Sequence, residues 1–163
     1  MLSKTVLSAL NEQIQKEYYS SYLYLAMSAY CEANNLVGTA KWMRIQSQEE
    51  LTHAMKLFDY VTDRGGRVAL KAIEQPPVEY KSALDIFKKV LEHERFVTAS
   101  IHKLYTLSVK ENDYASQIVL QWFVTEQVEE EKNAAQIVEQ FKAVGDSKTS
   151  LMLLDRHLAK RGA

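Results

Sequence analysis

Six side chains with metal-binding potential recur at regular spacings along the sequence. They are Glu17, Glu50, His53, Glu94, Gln127 and Glu130. They form two sets of three, one in each half of the chain. Glu17 and Glu50 lie 33 residues apart, as do Glu94 and Gln127, and a third candidate ligand follows three residues later in each set. Residues three apart share one face of a helix. The halves read E-x32-E-x2-H and E-x32-Q-x2-E, which indicates a duplicated helical hairpin.

Four of the six are carboxylates, and a helical core cannot hold four ionised carboxylates without compensating charge. Desolvating each ion costs several kcal/mol, and like charges add repulsion. Two divalent cations would balance the four charges, and Glu50 is the natural candidate for a bridging ligand. Oxygen-rich ligation with one imidazole suits iron or manganese better than structural zinc. The alternative, ordinary solvated glutamates, explains each residue singly but not four at one level.

The elements that must carry these residues are long helices, because glycine and proline are sparse and no period-two alternation is sustained. We expect helices over residues 3–31, 36–64, 82–110, 113–144 and 148–160. Short connections make the first and second pairs antiparallel hairpins. The second connection, of about 17 residues, allows the second and third helices to run in the same direction. The prediction is an all-α, up-down-down-up four-helix bundle with a long crossover and a short fifth helix.

The register of the hairpins places the carboxylates at one level. A seam of residues spaced three and four apart runs along each helix, and each seam carries a carboxylate near its midpoint. The predicted turn around residues 33–35 is equidistant from Glu17 and Glu50, and Asn112 is equidistant from Glu94 and Glu130. Residues 1–145 are thus expected to form the bundle. Residues 146–163 would pack on the bundle end or at a subunit contact.

Composition excludes several other classes of protein. The net charge is −1, with 20 basic and 21 acidic residues, so nothing indicates a nucleic-acid partner. The single cysteine, Cys31, allows neither an internal disulfide nor a CxxC motif. The longest uncharged run near the N-terminus, residues 18–31, is shorter than the roughly 20 apolar residues of a membrane span. No signal peptide is evident, and we expect a cytoplasmic protein.

Three segments together resemble the non-haem bacterial ferritins, within the ferritin-like di-iron carboxylate family. They are NEQ at 11–13 leading into EYYSS at 17–21, QEELTH at 48–53, and WFVTEQVEEE at 122–131. The resemblance spans essentially the whole chain, including the fifth helix. It implies a ferritin-like fold, two irons per subunit and no haem, since Leu51 stands where haem-binding relatives carry a methionine.

The resemblance also implies a role for each candidate residue. Glu17, Glu50 and His53 resemble ligands of the first iron. The second iron would be held by Glu50, Glu94 and Glu130, with Gln127 close by. A third iron site would comprise Glu49, Glu126, Glu129 and Glu130. The alternative for that third set is a solvated acidic patch. The second iron lacks a histidine, and Gln127 is a weak neutral ligand, which favours a site that passes iron on.

The implied function is iron storage with ferroxidase activity, the oxidation of Fe(II) by dioxygen. The ferric mineral would be stored in a hollow homo-oligomeric shell, expected to be a 24-mer, that is, about 24 subunits in a closed symmetric assembly. Tyr24, one heptad after Glu17, faces the site and would bond a ligand or supply an electron, or else is a core tyrosine. Trp122 is expected in the core, and His93, His102 and His157 at the surface or in packing.

Two other functions stay open from the residues. The ligands could serve only as a transit route in a storage shell without catalysis. The chain could instead be a di-iron oxidase acting on an organic substrate, which is disfavoured because Ser, Tyr and Glu crowd the seams.

The leucine stripe of Leu151, Leu154 and Leu158 is expected at a subunit contact.

Overall fold

Five helices make up the regular structure of residues 2–162, the part of the chain that the computed structural model describes. They are α1 (Lys4–Ala33), α2 (Val37–Asp63), α3 (Ala83–Lys110), α4 (Tyr114–Val144) and α5 (Lys148–Leu158). No strand occurs among these residues. The predicted all-α class is confirmed, and the predicted helix ends agree to within about two residues.

The direction of each helix follows from what the crossover between α2 and α3 touches. Asn11, early in α1, donates to the carbonyl of Arg67 (3.2 Å), near the start of the crossover. Tyr30, late in α1, donates to the carbonyl of Tyr80 (2.6 Å), near its end. The crossover therefore runs along α1, from the N-terminal to the C-terminal end of that helix. It returns the chain so that α3 runs parallel to α2, which gives the predicted up-down-down-up order.

Side-chain caps begin four of the five helices. Ser3, Ser82, Asp113 and Ser147 each accept a hydrogen bond from a backbone N–H in the first turn of the helix that follows. Asn112 has φ 53°, the left-handed conformation that asparagine tolerates in a tight turn. Residues 111–113 therefore form the turn between α3 and α4, with Asp113 as the cap of α4.

The start of α2 is capped from the other end of the sequence. Leu36 supplies no side-chain cap, but the Asp155 carboxylate of α5 accepts from the backbone N–H groups of Gly38 (2.9 Å) and Thr39 (2.7 Å). Gly38 permits this approach, because a Cβ there would lie 1.8 Å from the Asp155 carbonyl oxygen. The caps hold α5 against α2.

α5 packs on α2 and α4 at the end of the bundle. Leu154 and Leu158 are buried in the chain's own core, and Leu151 packs partly buried against it. The prediction of a subunit contact is therefore wrong for Leu154 and Leu158, which pack inside their own subunit.

Two apolar blocks fill the bundle, one on each side of a polar layer. One block includes Leu10, Leu57 and Ile101, and the other includes Met27 and Phe87. Each fully buried side chain of this size contributes about 1.5–3 kcal/mol to folding. The two blocks supply the stability that allows a costly polar layer between them. None of the five helices combines the length and the apolar character that a membrane span requires.

Replacing Asp155 with alanine should remove the cap of α2 and loosen α5. We expect the free energy of unfolding to fall by about 1–2 kcal/mol, as for other lost N-caps. Gly38→Ala should produce a loss at least as large, because its methyl group displaces the same contact. Denaturant unfolding followed by circular dichroism measures both, with the exposed Asp59→Ala on α2 as the control. Equal stabilities for Asp155→Ala and the control would contradict the cap.

Candidate metal centre

The polar layer consists of the six residues that the sequence singles out. Glu17 comes from α1, Glu50 and His53 from α2, Glu94 from α3, and Gln127 and Glu130 from α4. All six are buried, with no more than 6% of any residue exposed. The seam spacing therefore predicts correctly that these residues lie inside the bundle. Their assignment as iron ligands stays a prediction.

Glu17, Glu50 and His53 form the most closely packed part of the layer. One potential ligand atom from each residue lies within 4.8 Å of the other two. Gln13 donates to Glu17 Oε1 (2.8 Å), and Gln46 donates to Glu50 Oε1 (2.9 Å). His53 Nδ1 lies 3.4 Å from Glu50 Oε2. These contacts fix one oxygen of each carboxylate and leave the other side of the cluster to a ligand.

One carboxylate oxygen of this cluster has no partner. Glu17 Oε2 is buried and accepts no hydrogen bond from residues 2–162. Leaving a buried acceptor unsatisfied costs about 1–3 kcal/mol, and more when the group is charged. A divalent cation held by Glu17, Glu50 and His53 would remove that cost. The donor set therefore fits a metal ion.

Glu94 is oriented by two donors. The Tyr24 hydroxyl donates to its Oε1, and Gln127 Nε2 donates to its Oε2 (3.1 Å). Gln127 also donates to Thr98 Oγ1 (3.2 Å), so its amide nitrogen is engaged on α3. In this arrangement Gln127 positions Glu94. Tyr24, expected to face the site, does so through this hydrogen bond, and burial raises the pKa of its phenol well above the usual value.

The four carboxyl groups titrate far from their ordinary range. Burial raises the pKa of Glu17, Glu50 and Glu94 to about 8 and that of Glu130 to about 7. Neighbouring charges add to the effect: Glu50 raises the pKa of Glu17 and of Glu94, and Glu94 raises that of Glu130. Without a cation, the layer therefore carries protons at neutral pH. A divalent cation would displace them.

Among residues 2–162, the four glutamates predicted for a third iron site do not form a cluster of three ligand atoms within 4.8 Å of one another. Glu49 is bonded to Arg161, Glu126 is partly buried, and Glu129 is exposed. Within residues 2–162, Glu17, Glu50 and His53 form the one group of three or more such ligands whose atoms approach to 4.8 Å. The third site stays a prediction, and one of its carboxylates, Glu49, already has a cationic partner in Arg161.

Several residues at the site were not predicted from the sequence, or were predicted in a different environment. Gln13 and Gln46 each stand four residues before a carboxylate and, like Glu17 and Glu50, lie 33 residues apart, so the repeat contained a signal for them. Trp122 was expected in the core but is 37% exposed, with its ring centroid 5.3 Å from that of His53. Arg161 had no sequence signal, because its position depends on how α5 docks.

A four-helix bundle with a buried layer of four glutamates and one histidine is the architecture of the ferritin-like class of proteins. Comparison with known proteins makes this more specific. The family model for the ferritin-like domain matches residues 7–144. On this evidence the chain belongs to the ferritin family, and the family supports iron storage as its general function. The resemblance drawn from the sequence is confirmed.

Individual relatives and solved structures agree over nearly the full length. The bacterial non-heme ferritin of Campylobacter jejuni is 41% identical over 158 residues, 97% of this chain and 95% of that protein. The probable bacterial non-heme ferritin-like protein of Haemophilus influenzae is 40% identical, covering 97% and 96%. A novel open-pore ferritin of the archaeon Archaeoglobus fulgidus superimposes with a TM-score of 0.98 at 49% identity, covering 99% of each chain. A form of that ferritin engineered to be closed gives a TM-score of 0.97 at 48% identity, covering 99% and 98%.

Binding of divalent metal should release protons, and more of them at low pH. Between about pH 6 and about pH 8.5 the free carboxyls change from mostly protonated to mostly ionised, because their pKa values lie near 7 to 8. We therefore expect several protons released per subunit at the lower pH and fewer at the higher. Calorimetric titration with Zn(II), in buffers of different ionisation enthalpy, counts them.

The matched control for this titration is Glu94→Gln, which removes one titrating carboxyl. It should lower the proton count at the lower pH by about one and have little effect at the higher pH. A proton count that is the same at both pH values in the wild type would show that the buried carboxyls are already ionised.

Proposed function

We propose that this chain is a ferroxidase subunit of an iron-storage ferritin. It would bind two Fe(II) ions in the buried carboxylate layer, oxidise them with dioxygen and pass Fe(III) to a stored mineral. The observation that carries the proposal is the buried cluster of Glu17, Glu50 and His53, level with Glu94 and Glu130, in a chain of the ferritin family. Iron is here both substrate and cargo.

The ligands divide into two sets that share Glu50. Glu17, Glu50 and His53 would hold the first iron, and Glu50, Glu94 and Glu130 would hold the second. Glu130 is close enough to Glu50 for its charge to raise the pKa of that residue, which supports a shared centre. Two Fe(II) ions at adjacent sites can together give two electrons to one dioxygen molecule. Glu50 would hold the two ions in the geometry that this transfer needs.

The surrounding residues keep the carboxylates in place while ions enter and leave. Gln13 and Gln46 each fix one oxygen of Glu17 and Glu50. Tyr24 and Gln127 do the same for Glu94. Gln127 is a neutral amide where the first half has the carboxylate of Glu50, and Glu130 stands where the first half has His53. Because the second half has no imidazole and the Gln127 amide is engaged by Glu94, the second iron would be held by fewer strong ligands. This supports a centre through which iron passes. No haem group is part of the proposal.

The shell is proposed from family membership and from one exposed surface. Several apolar residues of α1 and the crossover line an open groove at the surface of the subunit; they are Tyr22, Leu25, Ile73 and Val78. Exposed apolar patches of this kind mark contacts between proteins. We propose that this groove is covered by other copies of the chain in a homo-oligomer of roughly 24 subunits.

Removing ligands from the cluster should abolish fast iron oxidation. Glu50→Ala removes the shared ligand, and His53→Ala removes the imidazole, so both should slow the initial rate by at least about tenfold, the equivalent of about 1.4 kcal/mol in the barrier. Ferric absorbance after aerobic addition of Fe(II) gives the rate, and an oxygen electrode gives the stoichiometry. The exposed Glu92→Ala on α3 is the control.

The same experiment separates catalysis from passive storage. A ferroxidase consumes oxygen rapidly until about two Fe(II) per subunit are oxidised. If wild type and both variants oxidise iron at the same slow rate, the carboxylate layer is a transit route and the proposed activity is wrong.

Assembly should be visible as mass. The 18.7 kDa chain in a shell of roughly 24 copies has a mass of about 450 kDa. Light scattering after size-exclusion chromatography measures it, and Leu25→Glu, which places a charge in the apolar groove, should shift the population to smaller species. A wild-type mass of a monomer or dimer at all concentrations would rule out the shell.

A further inference from the structure

The segment after α5 is held against α2, close to the metal centre. Asp155 caps α2, Leu158 is buried, and Lys41 Nζ donates to the carbonyl of Ala159 (2.8 Å). These contacts lie one after another along the chain and leave little freedom in where the next residues lie. They direct the segment along α2 towards Glu49, the residue before Glu50.

Arg161 ends this run of contacts at the edge of the centre. Its Nη2 donates to Glu49 Oε2, and its guanidinium lies over the Trp42 ring, 4.2 Å from the centroid. The Arg161 side chain is 21% exposed and that of Glu49 is 43% exposed. The ion pair is therefore at the rim of the polar layer, within reach of solvent and of ions.

Arg161 and Glu49 both act electrostatically on the buried carboxylates. The Glu49 charge raises the pKa of Glu50 and of Glu130, and the Arg161 charge lowers that of Glu130. A positive charge therefore already sits beside Glu49 and Glu130, two of the four residues predicted to hold a third iron. A third divalent cation would have to share these groups with the guanidinium or replace it.

We propose that Arg161 is a tethered cation that competes with a third metal ion for Glu49. While Arg161 is bound, the metal centre holds two ions, and the third binds only when the arginine leaves Glu49. This inference rests on the proposed function, because it concerns ions entering the same layer. It gives the segment after α5 a regulatory role in how many ions each subunit binds.

The contacts of the guanidinium allow it to leave. Glu49 is substantially exposed, and Arg161 Nη1 is buried without a hydrogen-bond partner among residues 2–162. One donor of the group is therefore unsatisfied in the bound position. A divalent cation offers Glu49 twice the charge, and released arginine regains water at all its donors. The exchange therefore depends on the concentration of the metal ion.

Metal titration of the iron-free assembled protein tests the proposal, with Zn(II) as a redox-inert probe. In wild type we expect two tight ions per subunit and a weaker third. Arg161→Gln removes the charge and should tighten the third ion about tenfold while leaving the two tight ions unchanged. Arg161→Lys keeps a positive charge without the planar guanidinium. Its affinity for the third ion should lie between those of wild type and Arg161→Gln. The control is Arg156→Gln, an exposed arginine on α5.

A double variant identifies the ligand involved. If Arg161 competes at Glu49, then Glu49→Gln in the Arg161→Gln background should abolish the gain in affinity for the third ion. A gain that persists in the double variant overturns the proposal. So does a third ion whose affinity is the same in wild type and Arg161→Gln while the two tight ions remain. Absence of the tight ions in wild type would overturn the proposed function itself, a result distinct from both.

Fluorescence reports the movement of Arg161 independently of stoichiometry. Trp122→Phe leaves Trp42 as the sole tryptophan, so emission then reports the ring that the guanidinium covers. Emission should change as the third equivalent of Zn(II) binds, and this change should be missing when Arg161 is also replaced by Gln. Emission that stays constant over the third equivalent would show that Arg161 remains in place, contrary to the proposal.

Discussion

Burial of four carboxylates in one layer is the constraint on which the rest of this structure depends. Each carboxylate loses its hydration, and each lies near others of the same charge, so the layer opposes folding unless protons or cations neutralise it. The two apolar blocks on either side provide the stability that offsets this cost. The same arrangement would favour divalent cations in the layer, because their binding would relieve a penalty already present in the free protein.

The sequence could predict the fold and the layer because both follow from periodicity. Long helices without breakers, two short turns and one long connection determine the bundle. The seam spacing then places Glu17, Glu50, Glu94 and Glu130 at one level. What the sequence could not show depends on contacts between distant segments. Three features depend on how α5 and α4 dock: the Asp155 cap on α2, the Arg161 guanidinium beside Glu49 and the exposure of Trp122. The local sequence pattern does not predict this docking.

The two halves of the repeat share geometry but differ in chemistry. In the first half, Glu50 is followed three residues later by His53, and their side chains lie 3.4 Å apart. In the second half the corresponding residues are Gln127 and Glu130, and Gln127 is occupied in orienting Glu94. Each half of the duplicated scaffold thus has two carboxylates, but the third side chain is an imidazole in the first half and an amide in the second. Two metal ions bound in the layer would therefore meet unequal ligands.

The cap of α2 by Asp155 links the timing of synthesis to the completion of the site. The capping residue lies 117 positions after Gly38, so α2 leaves the ribosome with its first turn unsatisfied. At 5–20 residues per second the cap arrives on the order of ten seconds later. Until then the helix that carries Glu50 and His53 lacks its final anchor. The helix that carries Glu50 and His53 therefore receives its cap from a segment that is made 117 residues later.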